Sequence, residues 1–507
     1  MKATKYSKPT WTIRIATFIF LSLVFSTSCS KYLDGELQGS RSDAQFYQTA
    51  EDAELALTGV YNMLTYADAN NRLWVFGDVA SDDAAKGGNA GDQADIGYID
   101  DFNVSSDNGN LESVWAICYE GISRANKLLD NIAGISMDDE RRSQIIGETK
   151  FLRAFYYYWL GSIWGNVPVH LTTPSPDEMQ KAATPVDQLF ENVIEVDLLD
   201  AVNLLPETFT ASDLGRATKF AAWGLLAKVY LVEKKWVEAE DASRQIVNKG
   251  IYSLHTIYRE NFEFVTKDNP EIVFGVQHLS GQNPWLGNRL NQWFAPNANN
   301  GYGFNAPTQD FVDEFEVTGE GVVDPRLDYT VGRPGMPWFN DTVLFDPEWS
   351  PTGYLNKKYI QPLEEVPVEA KSDGQLNYQF IRYADVLLML AEALNEQGKS
   401  GEAVNYVNMV RQRARGSYEY DEELPGYPNI PEGLLPDITD SGQSGMRVTI
   451  RHERRVELGF EFHRYFDIIR YGPEYANQAF SDKPNFNYVT NKFMPIPQSE
   501  LDTNFEL

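Results

Sequence analysis

Residues Gly147 to Val169 read GETKFLRAFYYYWLGSIWGNVPV. Set on a helix, Phe151, Phe155, Tyr158 and Ser162 share one face, and Leu152, Tyr156, Trp159 and Ile163 repeat the spacing one residue later. Two adjacent apolar stripes leave little polar face, and Ala154 and Gly161 are small enough to admit a neighbouring backbone. Such a helix is buried on most sides. Asp138 lies near its start, Gly165-Asn166 offers a left-handed cap, and Pro168 forbids continuation. Aromatics at this spacing are core rather than a binding face, so the stretch predicts a large helical scaffold.

Similar patterns flank it. Thr49 can cap a helix through FYQTAEDAELALTGVYNML, with Ala53, Leu57, Val60, Tyr61 and Leu64 inward. A second helix runs from Leu111 to Ile132, with Val114, Cys118, Ile122, Ala125, Leu128 and Leu129 inward. Between them, Tyr66 to Asn110 dissolves into Gly, Asp and Asn and reads as a long loop region. Thr184 to Leu204 is another amphipathic helix, ended by Pro206. Further on, Trp223, Leu226, Ala227 and Tyr230 reproduce the tetratricopeptide spacing, with Ala239 at the small position of the second helix. A second copy places Leu387, Leu390, Ala391 and Leu394 likewise, with Ala403 again twelve residues after its alanine. Two matches with one internal offset predict helix–turn–helix pairs. They are separated by Pro-, Gly- and Asn-rich sequence from Tyr252 to Gln379, in which EIVFGVQH (Glu271 to His278) has strand character. A regular solenoid does not tolerate that gap, so the insertion is expected to form its own subdomain against the helices. A loop from Gly416 to Gly445 precedes the last strong helix, RVTIRHERRVELGFEFHRYFDIIRYG.

The bulk properties restrict function. The chain has 507 residues and a net charge of -30. That surface repels phosphate backbones, so nucleic acid is excluded as a partner. The first 28 residues carry Lys2, Lys5, Lys8 and Arg14 and no acid. The apolar run Ile15 to Phe25 follows, too short for the roughly 20 residues of a membrane span, and then Ser26-Thr27-Ser28-Cys29. This is the pattern of a secretory signal ending in a lipobox, with Ser26 where an aliphatic residue is expected. Cys29 is the predicted lipidation site. Cys118 is left as the other cysteine, in an apolar helical pattern that predicts a buried, inert thiol. With five His and no CxxC or HExxH, no zinc site is expected.

Several segments together resemble the SusD/RagB family of outer-membrane nutrient-binding lipoproteins. They are the lipobox with KYLD, FYQTAEDAELALTGVYNML, ESVWAICYEGISRANKLLDNI, the opening stretch, FIRYADVLLMLAEALNEQG and ERRVELGFEFHRYFDIIRYG. The resemblance implies a mostly α, SusD-like fold with tetratricopeptide-like helix pairs and an irregular, loop-rich capping subdomain with a few short strands. The organisation expected is a signal peptide (1–28), an N-terminal helical region (29–250) and a C-terminal region (251–507) containing the capping insertion (about 252–379), all one compact fold. It further implies a cell-surface protein, lipid-anchored at the outer membrane. There it captures oligosaccharide for import through a SusC-like TonB-dependent barrel. Alternatives are a peptide-binding lipoprotein of the same family, a glycoside hydrolase, or an intracellular tetratricopeptide adaptor. A hydrolase needs two carboxylates roughly 5 to 9.5 Å apart, and no hydrolase motif surrounds any acid. The adaptor conflicts with the secretion signal. A binding protein without enzymatic activity or obligate cofactor is the reading.

Sugar faces stack on Trp and Tyr while amides and charged groups bond the hydroxyls. Three loop islands offer this. The first has Trp74 beside Asn71, Arg72 and Asp78. The second has Trp285, Trp293 and Tyr302 among Asn283, Asn288, Arg289, Asn291 and Gln292. The third has Trp338 beside Asn340. The second is the leading candidate, and truncating Trp285 or Trp293 is expected to weaken binding with little loss of stability. The acidic loop SDDAAKGGNAGDQADIGYIDD offers oxygens for Ca²⁺ but lacks the ordered spacing of a calcium loop. The cluster Arg451, Glu453, Arg454, Arg455, Glu457, Glu461, Arg464, Asp467 and Arg470 reads as structural ion pairs at i+3 and i+4.

Overall fold

The computed structural model describes residues 46–65, 72–282, 285–339, 343–362, 365–366 and 372–507. Cys29 and the signal segment lie outside them, as do Asn71, Asn283 and Asn340. Thr49 to Leu507 form one compact unit.

The scaffold helices are α1 (Ala50–Thr65), α2 (Gly109–Asn131), α3 (Asp139–Trp164), α4 (Glu195–Leu204), α5 (Lys219–Glu233), α6 (Trp236–Val247), α7 (Tyr383–Glu396), α8 (Ser400–Gly416), α9 (Gly442–Leu458) and α10 (Arg464–Tyr471). Thr49 and Asp52 cap α1 reciprocally, each side chain accepting the other's backbone N–H. The Asp138 carboxylate accepts the Arg141 N–H to start α3, and Gly165, at φ 75°, ends it. Every residue of α3 from Phe151 to Gly161 is buried, as two apolar stripes require. Small residues make this possible. A Cβ on Gly161 would sit 2.9 Å from Leu189 and Phe190, and one on Gly121 of α2 would sit 2.5 Å from the Tyr156 ring. The predicted helix at 184–204 begins at Val186 and carries a π turn, Phe190–Ile194, before α4.

Successive helices pack on one another: α1 on α2, α2 on α3, α3 on α4, α4 on α5, α5 on α6. The next contact jumps the gap in sequence, α6 packing on α7, which pairs with α8 while α9 covers both. The two tetratricopeptide-like pairs are therefore neighbours in space, with Ala227, Ala239, Ala391 and Ala403 all at zero exposure where the helices cross. The long gap in sequence therefore does not separate the two pairs in space. The insertion leaves and returns at one place because β2 (Ile272–Val276) pairs antiparallel with β6 (Tyr378–Arg382), which runs directly into α7.

Two other sequence expectations change. The described part of the 66–110 loop region holds a π turn (Val75–Val79), β1 (Ala84–Gly87) and a helix (Ala94–Asp100), elements too short to show a period. β1 pairs with β3 (Phe304–Pro307), so this segment joins the insertion. The last strong helix is broken between α9 and α10. Phe460 and Phe462 adopt positive φ (63° and 69°), and the Phe462 backbone lies where a side chain at Gly77 would be. Phe462 N–H then donates to Asp78 at 3.0 Å.

The charged cluster is structural, but its partners are distant in sequence rather than one turn away; Asp467–Arg470 is the i+3 pair that forms. At zero exposure, Glu457 meets Arg326 and Arg382 (both 3.1 Å) and Arg413, while Glu461 meets Arg382 (2.7 Å) and Lys358 (2.8 Å). Glu453 takes Arg326 (2.6 Å), and Glu271 takes Arg413 (2.7 Å) and Arg382. This network ties α9 to β2, β6, α8 and the insertion. Burial alone raises a carboxyl pKa, yet the guanidinium groups of Arg413, Arg382 and Arg326 hold Glu457 down at about 2.

Candidate functional site

Trp74, on the turn before Val75–Val79, is fully buried. Its ring stacks on Phe304 (6.2 Å, 23°), meets Phe294 edge-on (5.4 Å) and tilts against Trp293 (6.0 Å). Trp293 reaches Tyr302 at 5.3 Å. The first two sequence islands are thus one aromatic cluster, closed around the β1–β3 pair. Cations lie over it: the Arg72 guanidinium 5.6 Å from Trp293, and the Lys86 ammonium 5.5 Å from Phe304. Lys86 also donates to the carbonyls of Asn89 and Asp92.

The loop carrying the outer rings is held by its own backbone. Tyr302 N–H donates to Gln292 O (2.9 Å), Gly303 N–H to Ala295 O (2.9 Å) and Gly88 N–H to Gly303 O (2.7 Å). Gly301 lies so close to the Ala295 carbonyl that no side chain fits there. Beneath, Asp78 accepts from Asn305 Nδ2 (2.9 Å) as well as Phe462 N–H. Burial pushes its carboxyl up to about 8, against the lowering effect of the Asn305 hydrogen bond.

Two aromatic faces remain open: Trp285 is 54% exposed and Tyr302 40%. The half-buried Arg289 stands 6.0 Å from the Trp285 ring. These three are where the sequence placed them, in a loop and at the surface. The other four named residues are not. Trp74 and Trp293 (8% exposed) are packed on by other rings and support the rim rather than present a face. Asn288 is buried, its side chain accepting Leu290 N–H and donating to Leu376 O, so its amide shapes the loop. Trp338 is buried in a separate cluster with Phe345 (5.6 Å) and Trp349 (5.8 Å), beside the β4–β5 pair (Val331–Gly332 with Leu355–Asn356). Sequence reasoning named Arg72 only as a neighbour and missed Lys86; the dense glycines at 87, 88, 301 and 303 were the signal that these segments pack tightly.

The acidic loop does not gather its carboxylates. Asp82 and Asp83 face Arg464 and Arg455, Asp95 accepts the Gly109 N–H, and Asp100 takes Lys483. Among the described residues no three His, Cys, Asp or Glu side chains are placed to hold a metal ion. Cys118 is buried, and burial pushes its thiol far above the usual range. No described helix is long and apolar enough to cross a membrane.

Two family models match the chain. One, the SusD family, covers residues 270–507, and the other, described as starch-binding and associating with the outer membrane, covers residues 31–231. The chain belongs to the SusD/RagB family. A relative along nearly its whole length is SusD-like protein P2 of Formosa agariphila, 27% identical over 97% of each chain. Among solved structures, a laminarin-binding SusD-like protein superposes with a TM-score of 0.74 at 27% identity, covering 90% of this chain and 98% of the other. Surface glycan-binding protein A from Bacteroides thetaiotaomicron, solved with laminarihexaose, shares the fold with a TM-score of 0.72 at 21% identity, covering 90% of this chain and 98% of the other. The mostly α SusD-like fold, with paired helices and a loop-rich cap, is that of the family.

Proposed function

We propose that this SusD-family protein captures oligosaccharides on the open faces of Trp285 and Tyr302, with Arg289 bonding hydroxyls between them, and releases them unchanged. The observation that carries this reading is the exposed Tyr302 ring standing on a floor that is already ordered, with Trp285 open earlier in the same segment. Trp74, Trp293 and Phe304 fill the space beneath Tyr302, and backbone hydrogen bonds fix its loop, so little ordering of that ring remains to oppose binding. The laminarin-binding relative supports a glucan as the first ligand to try. The outer-membrane association of the family supports a place beside a SusC-like TonB-dependent transporter, with Cys29 acylated and the protein facing outward.

Titration calorimetry with laminarihexaose and a wider glycan panel tests the site. Trp285→Ala and Tyr302→Ala should each weaken the best ligand roughly tenfold. Unchanged affinity in both rejects the rim. New reducing ends after prolonged incubation with polysaccharide reject capture without turnover. Labelled palmitate retained by a Cys29→Ala variant rejects the anchor.

A further inference from the structure

A groove of about 920 Å³ opens on the helical side, where α9, α10 and the helix Pro473–Ala479 meet the turn between α5 and α6. It shares no residue with the aromatic rim. Most charges in its wall are matched. Arg447 binds Glu396 (2.6 Å), Arg470 binds Glu392, and Glu314 takes both Arg455 and His452. Arg451 differs. Its guanidinium lies 4.0 Å from the centre of the Tyr471 ring and 4.8 Å from that of Tyr475, and it has neither an ion pair nor a hydrogen bond among the described residues. The two rings stand at 82° to each other, so the guanidinium can lie flat on only one of them, and neither ring supplies the carboxylate that a guanidinium takes by two parallel hydrogen bonds.

Lys234, exposed and also in the lining, is a second cation with no ion pair. Glu474, exposed at the rim, is the one unmatched acid of the lining. On a chain of net charge -30, two cations without an ion pair in one groove are a point where an anion is favoured. Trp236 supplies an aromatic face and Gln478 an amide, whereas Val448 is the single aliphatic side chain of the wall. No strand contributes to the described lining, so a peptide would find neither an edge to pair with nor sockets for its side chains.

We propose that this groove is a second saccharide site, specific for an acidic sugar whose carboxylate is held by Arg451 with Lys234 nearby and whose ring lies on Trp236. It rests on the capture reading only in that the ligand is a saccharide. The test is calorimetry of the full chain with trigalacturonic acid, its methyl ester and a Glu-rich hexapeptide. Trigalacturonate should bind, and the methyl ester at least tenfold more weakly. Arg451→Gln should lose tenfold at an unchanged melting temperature, and Lys234→Asn, which keeps the left-handed backbone of that position (φ 59°), about threefold. Should Arg451→Gln fold poorly, the methyl ester and Lys234→Asn decide. Equal affinity for acid and ester, or for the hexapeptide, overturns the proposal. In a Trp285→Ala/Tyr302→Ala variant, trigalacturonate binding should persist while laminarihexaose binding falls. Loss of both there makes it one site and sinks the inference, whereas a wild-type chain that ignores laminarihexaose but binds trigalacturonate sinks only the first reading.

Discussion

Two junctions hold the insertion to the rest of the molecule. At one, Glu453, Glu457 and Glu461 of α9 and the turn after it meet Arg326, Lys358, Arg382 and Arg413 at zero or near-zero exposure. At the other, Trp74 and β1 meet Trp293, Tyr302 and Phe304, and the outermost ring stays in water. In the first, the carboxylates and the facing cations are buried with partners, so nothing is left to offer a ligand. In the second, packing is complete below and open above. A buried charge is costly unless fully matched, so an ionic junction must close, whereas an aromatic one can end at a face that binds.

The largest effect should come from breaking the ionic junction. Glu457→Ala leaves three guanidinium groups without their shared carboxylate and should cost about 3–5 kcal/mol in urea denaturation while sparing affinity for the glycan that binds the rim. Next is the floor of the aromatic junction. Trp293→Ala opens a cavity under Tyr302 and should cost roughly 3 kcal/mol and weaken binding as well. This replaces the expectation from sequence that its removal would leave stability nearly intact. The rim itself should separate the two properties: Trp285→Ala should change stability by less than about 0.5 kcal/mol while lowering affinity. A stability loss as large as that of Trp293→Ala would show that Trp285 is floor, not rim.

The smallest effect concerns the edge of the ionic junction. Burial lowers the pKa of His452, but its hydrogen bond to Glu314 and the Glu316 carboxylate 3.7 Å away raise it to about 9. A raised folded pKa stabilises below the ordinary value of 6.5 and ceases to do so as pH rises through about 9. His452→Gln should therefore be less stable than the parent at pH 6, with the difference shrinking by pH 10; a constant difference would show that the imidazole is neutral throughout.

The contrast also explains what could be read from the chain. The scaffold was legible because α3, α5 and α7 repeat apolar residues at helical spacing, and a helix needs only local sequence to show its period. The aromatic islands were legible as composition but not as surface. Trp74 looks free until Phe304, far along the chain, is brought against it by the β1–β3 pair. Asn288 looks like a binding amide until Leu376 O is seen to take it. The charges on α9 were rightly taken as structural, yet their partners Arg326, Arg382 and Glu271 have no periodic relation to them.

The β2–β6 pair has a consequence for how such a chain can change. By fastening the two ends of the insertion beside each other at the start of α7, it closes the chain between Val276 and Tyr378 into a loop, anchored further where Arg326 and Lys358 meet the acids of α9 and the turn after it, and where β3 meets β1. Each doubling of a closed loop costs only about 0.6 kcal/mol of chain entropy, so residues can be added or removed in the stretches between those anchors without shifting a helix. Selection can rewrite the loop that holds Trp285 and Tyr302 for a new ligand while the scaffold around α3 stays as it is.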